Sequence, residues 1–253
     1  MAFETMTSWV VTSLLLSLRI GPVFAMAPPF TLTRTPPVFR VFLGLGLAGL
    51  LTSSLPQEQW AAAFGAGDLL ATAARELLLG AMFVLAFQVM FAGLYLAGRT
   101  VDIQAGFGLA MLIDPTTRGQ TPLVGTLLAY AAGAVFFAMD GHAELLRLLR
   151  ASVEAIPLGT GHAPQSLRPL TAFMSVVFMT SFGVVATAVL TLFIADVAIA
   201  LMARTMPQMN VLILGLQVKT LLLLLVLPIM IGSVGALLAR LAIVTLEAIP
   251  GLL

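Results

Sequence analysis

Apolar positions in this chain come in long runs, and most charged positions fall between them. Trp9–Ala27 is apolar except for Arg19, and Val38–Leu55 is rich in Leu, Gly, Ala and Val. Leu77–Ala97 follows, entered by Arg75 and Glu76, and then the uncharged Pro122–Met139. Pro169–Ala195 has no charge, and its pattern continues past Asp196 towards Ala203 before Pro207 breaks it. Thr220–Ala239 is the last run. Runs of this length predict helices near the ~20 residues that cross a bilayer. The short alternating segments of a membrane barrel are absent, so the expected fold is all-α, built of membrane-associated helical hairpins.

The segments between runs carry their own signals. Pro28, Pro29, Pro36 and Pro37, with Arg34 and Arg40, predict a fixed, kinked connection, because proline lacks an amide donor and breaks helix geometry. In Asp140–Arg168, the side chains Leu145, Leu146, Leu148, Leu149, Val153 and Ile156 fall near one helix face. Glu144 with Arg147 and Arg150 with Glu154 can pair on the other, at spacings of three and four. This predicts an amphipathic helix at a membrane interface or against a partner. Asp102–Pro115 is apolar, opens with Gly106 and Gly108 and stops at Asp114-Pro115. Such a segment at membrane depth is tolerated inside protein or beside a water-filled path, which makes it a candidate re-entrant or gating element. No signal peptide is expected: Glu4 stands where a basic region would be, and Arg19 interrupts the apolar stretch.

Composition narrows the class. Of 253 residues, 60% are hydrophobic and 9% charged, against about 25% charged in a soluble domain. Mean hydropathy is +1.09. A soluble monomer or a disordered chain is excluded, and with a net charge of +1 and no basic block so is a nucleic-acid binder. There is no cysteine, hence no disulfide, thiolate catalyst or cysteine metal site. If six runs alternate sides, Arg34, Arg40, Arg99, Arg118, Arg204 and Lys219 oppose Arg75, Arg147, Arg150, Arg168 and Arg240. That balance gives no positive-inside orientation, and suggests that the chain does not lie across the bilayer as a row of simple spans.

Few residues offer chemistry. Gly44, Gly46 and Gly49 match a dinucleotide fingerprint, but no strand precedes them, so close helix packing is expected. Asp140, His142 and Glu144 lie together, with His162 further on; a solvated loop is expected instead of a metal site. Met202, Met206 and Met209 read as helix or lipid packing, or as a soft contact surface. Arg19 and Asp196 sit within apolar runs, where an unpaired charge is costly. Either they line a polar path or pair across a helix contact, or Arg19 snorkels from a helix that stops at Gly21-Pro22 and Asp196 pairs locally. No nucleophile–base–acid set is present, and neither an enzyme nor a cofactor is expected.

Three stretches together resemble the FliR family, the flagellar biosynthetic protein of the type III export gate. They are RIGPVF (Arg19, Gly21, Pro22) with the prolines and Arg40; Ala92 and Gly93 through Asp102, Gln104, Gly106, Phe107 and Gly108 to Asp114-Pro115; and RTMPQMNVLILGLQVK, carrying Pro207, Gln208, Asn210 and Lys219. The third is the most distinctive. Gln217 stands where many members carry proline, which implies a freer helix start. The injectisome SctT family shares these motifs; Pro207 before Gln208 favours the flagellar branch.

The resemblance implies a subunit that assembles with several copies of FliP and FliQ in a conical gate in the bacterial inner membrane and flagellar basal body. Other export-apparatus membrane proteins, unfolded export substrates and lipid would be further contacts. It implies a FliP-like part over 1–169 fused to a FliQ-like helical hairpin over 170–253. It places a pore plug near 106–118, with Gly106, Phe107, Gly108, Leu109, Met111, Leu112, Asp114 and Pro115, and a structural motif at Arg19, Gly21, Pro22, Pro207, Gln208, Asn210 and Lys219. Asp196 is a candidate buried charge. A proton-coupled secondary transporter is the competing class, although no internal repeat stands out.

Overall fold

The computed structural model describes residues 2–32, 35–56, 68–107, 122–161, 168–206, 208 and 210–252. Among these the chain is helical, without a strand. The helices are α1 (Ala2–Met26), α2 (Pro37–Ser54), α3 (Leu69–Ala105), α4 (Leu123–Ala138), α5 (Gly141–Ala155), α6 (Arg168–Thr205) and α7 (Val211–Leu252), with a 3-10 turn at Phe30–Leu32. Four described helical segments are long and apolar enough to cross a membrane: Thr5–Met26, Pro37–Ser54, Leu69–Ala105 and Arg168–Thr205. The chain is an all-α membrane protein, and each of the six apolar runs coincides with a helix or lies within one to within a residue at its ends.

Several boundaries differ from the sequence expectation, each for a local reason. α1 does not stop at Gly21-Pro22 but carries Pro22 inside it as far as Met26. Its last carbonyls are capped from other helices: Arg40 donates to Ala25 O at 2.9 Å and Gln88 to Met26 O at 3.0 Å. α3 starts eight residues earlier than its apolar run, because Asp68 Oδ1 accepts the amides of Leu70 and Ala71 as an N-cap. It also continues through Arg99 and Asp102 to Ala105, so the mixed segment begins as helix. α7 begins at Val211 on an Asn210 cap, whose Oδ1 accepts the Ile213 amide at 3.3 Å. Gln217 therefore lies in the second turn of α7 and not at its start. Met139–Asp140 is a tight turn, with Asp140 at φ 56°, leading directly into α5. His142 and Glu144 thus sit in the first turn of a helix instead of a loop.

Packing defines two compact units. The first comprises Met1–Val89, Phe136–Phe173 and Ile243–Leu253. Here α2 meets α1 through a narrow stripe of small residues, Gly44, Ala48 and Thr52, four apart. A side-chain carbon on Gly44 would stand 2.8 Å from the Gly21 backbone, which explains the glycine at 44, whereas a carbon on Gly21 would meet nothing within 4 Å. Gly49 packs on Trp9, whereas Gly46 faces open space, so two of the three glycines in the false fingerprint serve packing. Phe30 in the 3-10 turn lies tilted against Phe24 at 4.8 Å and meets Phe136 and Phe137 edge-on, which holds that turn in place. The α5 stripe Leu145, Leu149 and Val153 is buried within this unit, against the expectation of a membrane or partner face. The Glu144–Arg147 and Arg150–Glu154 pairs form on its exposed side.

The second unit comprises Met90–Val135 and Met174–Ala242. Its core is formed by Leu94, Ala97, Val101, Leu128, Val177, Val185 and Leu192. Small residues again set the approach of helices: Gly93 of α3 faces Ser181 and Val177 of α6, and Gly98 faces Gly125 of α4.

Candidate functional site

Two polar constructions stand out from this apolar framework, one in each unit. In the first, Arg19 and Glu76 are both fully buried. The guanidinium donates from Nε to Glu76 Oε2 at 2.7 Å and from NH2 to Oε1 at 3.0 Å, a bidentate fork. Its remaining donors reach the Ser152 carbonyl at 3.0 Å and the Ile156 carbonyl at 3.1 Å, at the end of α5. Glu76 Oε1 also accepts the Gly159 amide at 3.0 Å, and the neighbouring Arg75 donates to the Gly159 carbonyl at 2.7 Å. Gly159 has φ +79°, a left-handed conformation suited to glycine. Of the three sequence alternatives for Arg19, pairing across helices is the one observed, and with the side chain fully buried it does not snorkel.

The second construction surrounds the chain as it leaves α3. Asp102 is buried, and both its oxygens lie 3.2 Å from the Val124 amide at the start of α4. Val124 N–H is one of the orphan donors of a helix N-terminus; its partner comes from the end of the preceding helix. One turn back, Gly98 and Gly125 bring the two backbones into direct contact. At the exit itself, Gly106 adopts φ +90° beneath Leu216 of α7. Lys219, also on α7, pairs with Asp196 of α6 and donates to the Gln104 carbonyl at 3.1 Å. So two described residues flanking 108–121 are held in place, Gly106 under Leu216 of α7 and Val124 by Asp102. Phe107 is the last described residue before it and is half-buried. Gly108, Leu109, Met111, Leu112, Asp114 and Pro115 lie outside the described residues.

The family model for bacterial export proteins, family 1, matches residues 10–243. The chain belongs to this family. The flagellar biosynthetic protein FliR of Bacillus subtilis (strain 168) is 30% identical over 210 residues, 81% of this chain and 80% of that protein. FliR of Escherichia coli (strain K12) is 24% identical, over 84% of this chain and 81% of its own length. The Yop proteins translocation protein T of Yersinia pestis is 27% identical, over 58% and 57%.

In this family-1 export protein the quoted motif residues have distinct tasks. Arg19 is the buried cation, Gly21 is the contact point for Gly44, and Pro22 is carried within α1. Asn210 caps α7, Gln208 is exposed in the turn before it, and Lys219 clamps the end of α3. Pro207, Met209 and His162 lie outside the described residues. Asp196 is paired and part-exposed, not a lone buried acid. No three His, Cys, Asp or Glu residues converge to hold a metal among the described residues. Sequence reasoning missed Glu76, Ser152, the Gln104 carbonyl and the Gly98–Gly125 contact. Glu76 carried a usable signal, as an acid opening an apolar run in a chain that already needed a counter-charge for Arg19. Backbone carbonyls and small-residue contacts carry none that a single sequence displays.

Proposed function

We propose that this export protein is a non-enzymatic subunit of the flagellar type III export gate in the bacterial inner membrane, assembling with FliP and FliQ at the basal body. In this reading residues 1–169 are a FliP-like part, 170–253 a FliQ-like hairpin, and the segment near 106–118 closes the resting pore. The observation that carries it is the double anchoring of an apolar, glycine-opened segment: Gly106 lies under Leu216, and Asp102 holds Val124 at the other end. Anchored flanks around the apolar stretch Leu109–Ile113 suit an element that must fill a pore yet stay attached to its frame. Supporting it, α2 and α6 expose many large apolar side chains, among them Phe39, Phe42, Met179, Phe193 and Leu201. Neighbouring subunits and lipid would cover such faces. The FliR relatives span more of the chain than the translocation protein T does, 81–84% against 58%, which favours the flagellar over the injectisome reading.

Deleting Gly106–Ile113 in the assembled gate is expected to raise the resting leak of ions or small solutes. Conductance or dye efflux measures it, and an unchanged leak would defeat the plug assignment. A second expectation concerns assembly. Alanine at both Gln208 and Asn210 should reduce co-purification with FliP and FliQ, since side-chain amides supply both donors and acceptors between subunits. Because Asn210 also caps α7, Asn210→Asp is the control: it keeps the capping oxygen and removes the amide donors. Intact co-purification of the double-alanine protein would sink the intersubunit role.

A further inference from the structure

Lys219 occupies an unusual position for a balancing charge. Its side chain is 18% exposed, in the third turn of α7. One direction of its ammonium is taken by the Asp196 carboxylate on α6, and another by the Gln104 carbonyl of α3. Gln104 is the penultimate residue of α3, so α3 ends before the residue whose amide would ordinarily bond its carbonyl. The carbonyl end of a helix carries partial negative charge and favours a cation there. Lys219 therefore acts as a C-terminal cap for α3, supplied by α7 and aimed by α6. Three residues earlier on α7, Leu216 covers Gly106, and the Gly106 amide turns back to the Ile103 carbonyl at 3.1 Å. Any side chain at 106 would collide with Leu216 and would resist φ +90°.

We infer that Lys219 is the positioning residue for the exit of the chain from α3: a clamp on three helices that fixes the direction in which Gly106 and Phe107 depart. The clamp itself rests on the described geometry; its link to pore closure rests on the plug reading above. A bare Lys219–Asp196 ion pair would stabilise the α6–α7 contact but would make no bond to the Gln104 carbonyl. The clamp requires the donor to that carbonyl.

The test uses the assembled gate in detergent and in vesicles, with hydrogen exchange at 103–106 as the primary readout. Lys219→Met is expected to speed exchange of these amides by about tenfold or more, as the last turn of α3 frays. Lys219→Arg, which keeps the donors, is expected to stay near the parent. The double exchange Asp196→Lys with Lys219→Asp re-forms an ion pair but leaves no donor at position 219, so it should exchange as fast as Lys219→Met. Parent-like protection in Lys219→Met, or in the double exchange, would overturn the clamp. In vesicles, Lys219→Met should also raise the resting leak. Fast exchange without leak, beside a leaky Gly106–Ile113 deletion, would overturn the link between clamp and closure. A silent deletion would overturn the plug reading and leave the exchange result to decide the clamp by itself.

Discussion

Replacing Glu76 by alanine is expected to cost about 3–5 kcal/mol, the range seen when one partner of a buried ion pair is removed. The carboxylate accepts three bonds, two from Arg19 and one from the Gly159 amide, and neither charged side chain reaches solvent. Without it, Arg19 keeps the Ser152 and Ile156 carbonyls but has no counter-charge, and its Nε has no acceptor. Glu76→Gln should fare little better, because its amide nitrogen would meet a guanidinium that can only donate. The thermal unfolding temperature of the purified protein in detergent should fall by about 6–20 °C, taking 2–4 °C per kcal/mol for a chain of this size. The informative comparison is the double variant Arg19→Met with Glu76→Leu. It removes both charges and leaves a packed apolar contact, so it should be more stable than either single change. A double variant as unstable as the sum of the singles would show that the pair is not the unit. The loss should reach the 157–161 turn as well, since Gly159 is held by Glu76 on its amide and by Arg75 on its carbonyl.

That ion pair shows where a sequence is readable and where it is not. Arg19 announced itself, because an arginine in an apolar run needs an explanation. Its partner lies 57 residues away and was hidden as the ordinary charged entry to another run. Using charges to mark loops found the helices but shortened α3: Asp102 is helical and buried because it caps α4, and Arg99 lies on an exposed face. The α5 helix was legible since its ion pairs are local, at three and four residues. Which way its apolar face turns was not, because a leucine stripe looks the same packed on its own chain or on a membrane. The exit of α3 was legible in part. Gly106 marked the turn, as only a residue tolerant of positive φ fits there. The cap by Lys219 could not be read, since its acceptor is a backbone carbonyl with no residue identity of its own.

The close approach of α3 and α4 supplies the second large expectation. Gly98→Ala should destabilise the second unit even though alanine is the better helix former by about 1 kcal/mol. A side-chain carbon at 98 would overlap the Gly125 backbone and stand 2.8 Å from the Val124 carbonyl carbon. Backbone cannot rotate away as a side chain can, so the helices must part, at the 1–3 kcal/mol or more typical of overpacking. Parting them also draws the Val124 amide off the Asp102 carboxylate, leaving a buried acid without the donor it now holds. Gly125→Ala should act similarly, because its added carbon would meet the Tyr95 carbonyl at 2.8 Å. Gly46 and Gly183 are the internal controls: both are helical and face open space, so alanine there should leave stability unchanged or raise it slightly. Thermal unfolding in detergent separates the two classes. If Gly98→Ala unfolds with Gly46→Ala and Gly183→Ala, the contact is dispensable. If it falls well below them and exchange rises at both 98–106 and 122–126, the two ends of the 108–121 segment are held by one contact. In that case the glycine pair, the Asp102 cap and the Lys219 clamp form a single frame around it.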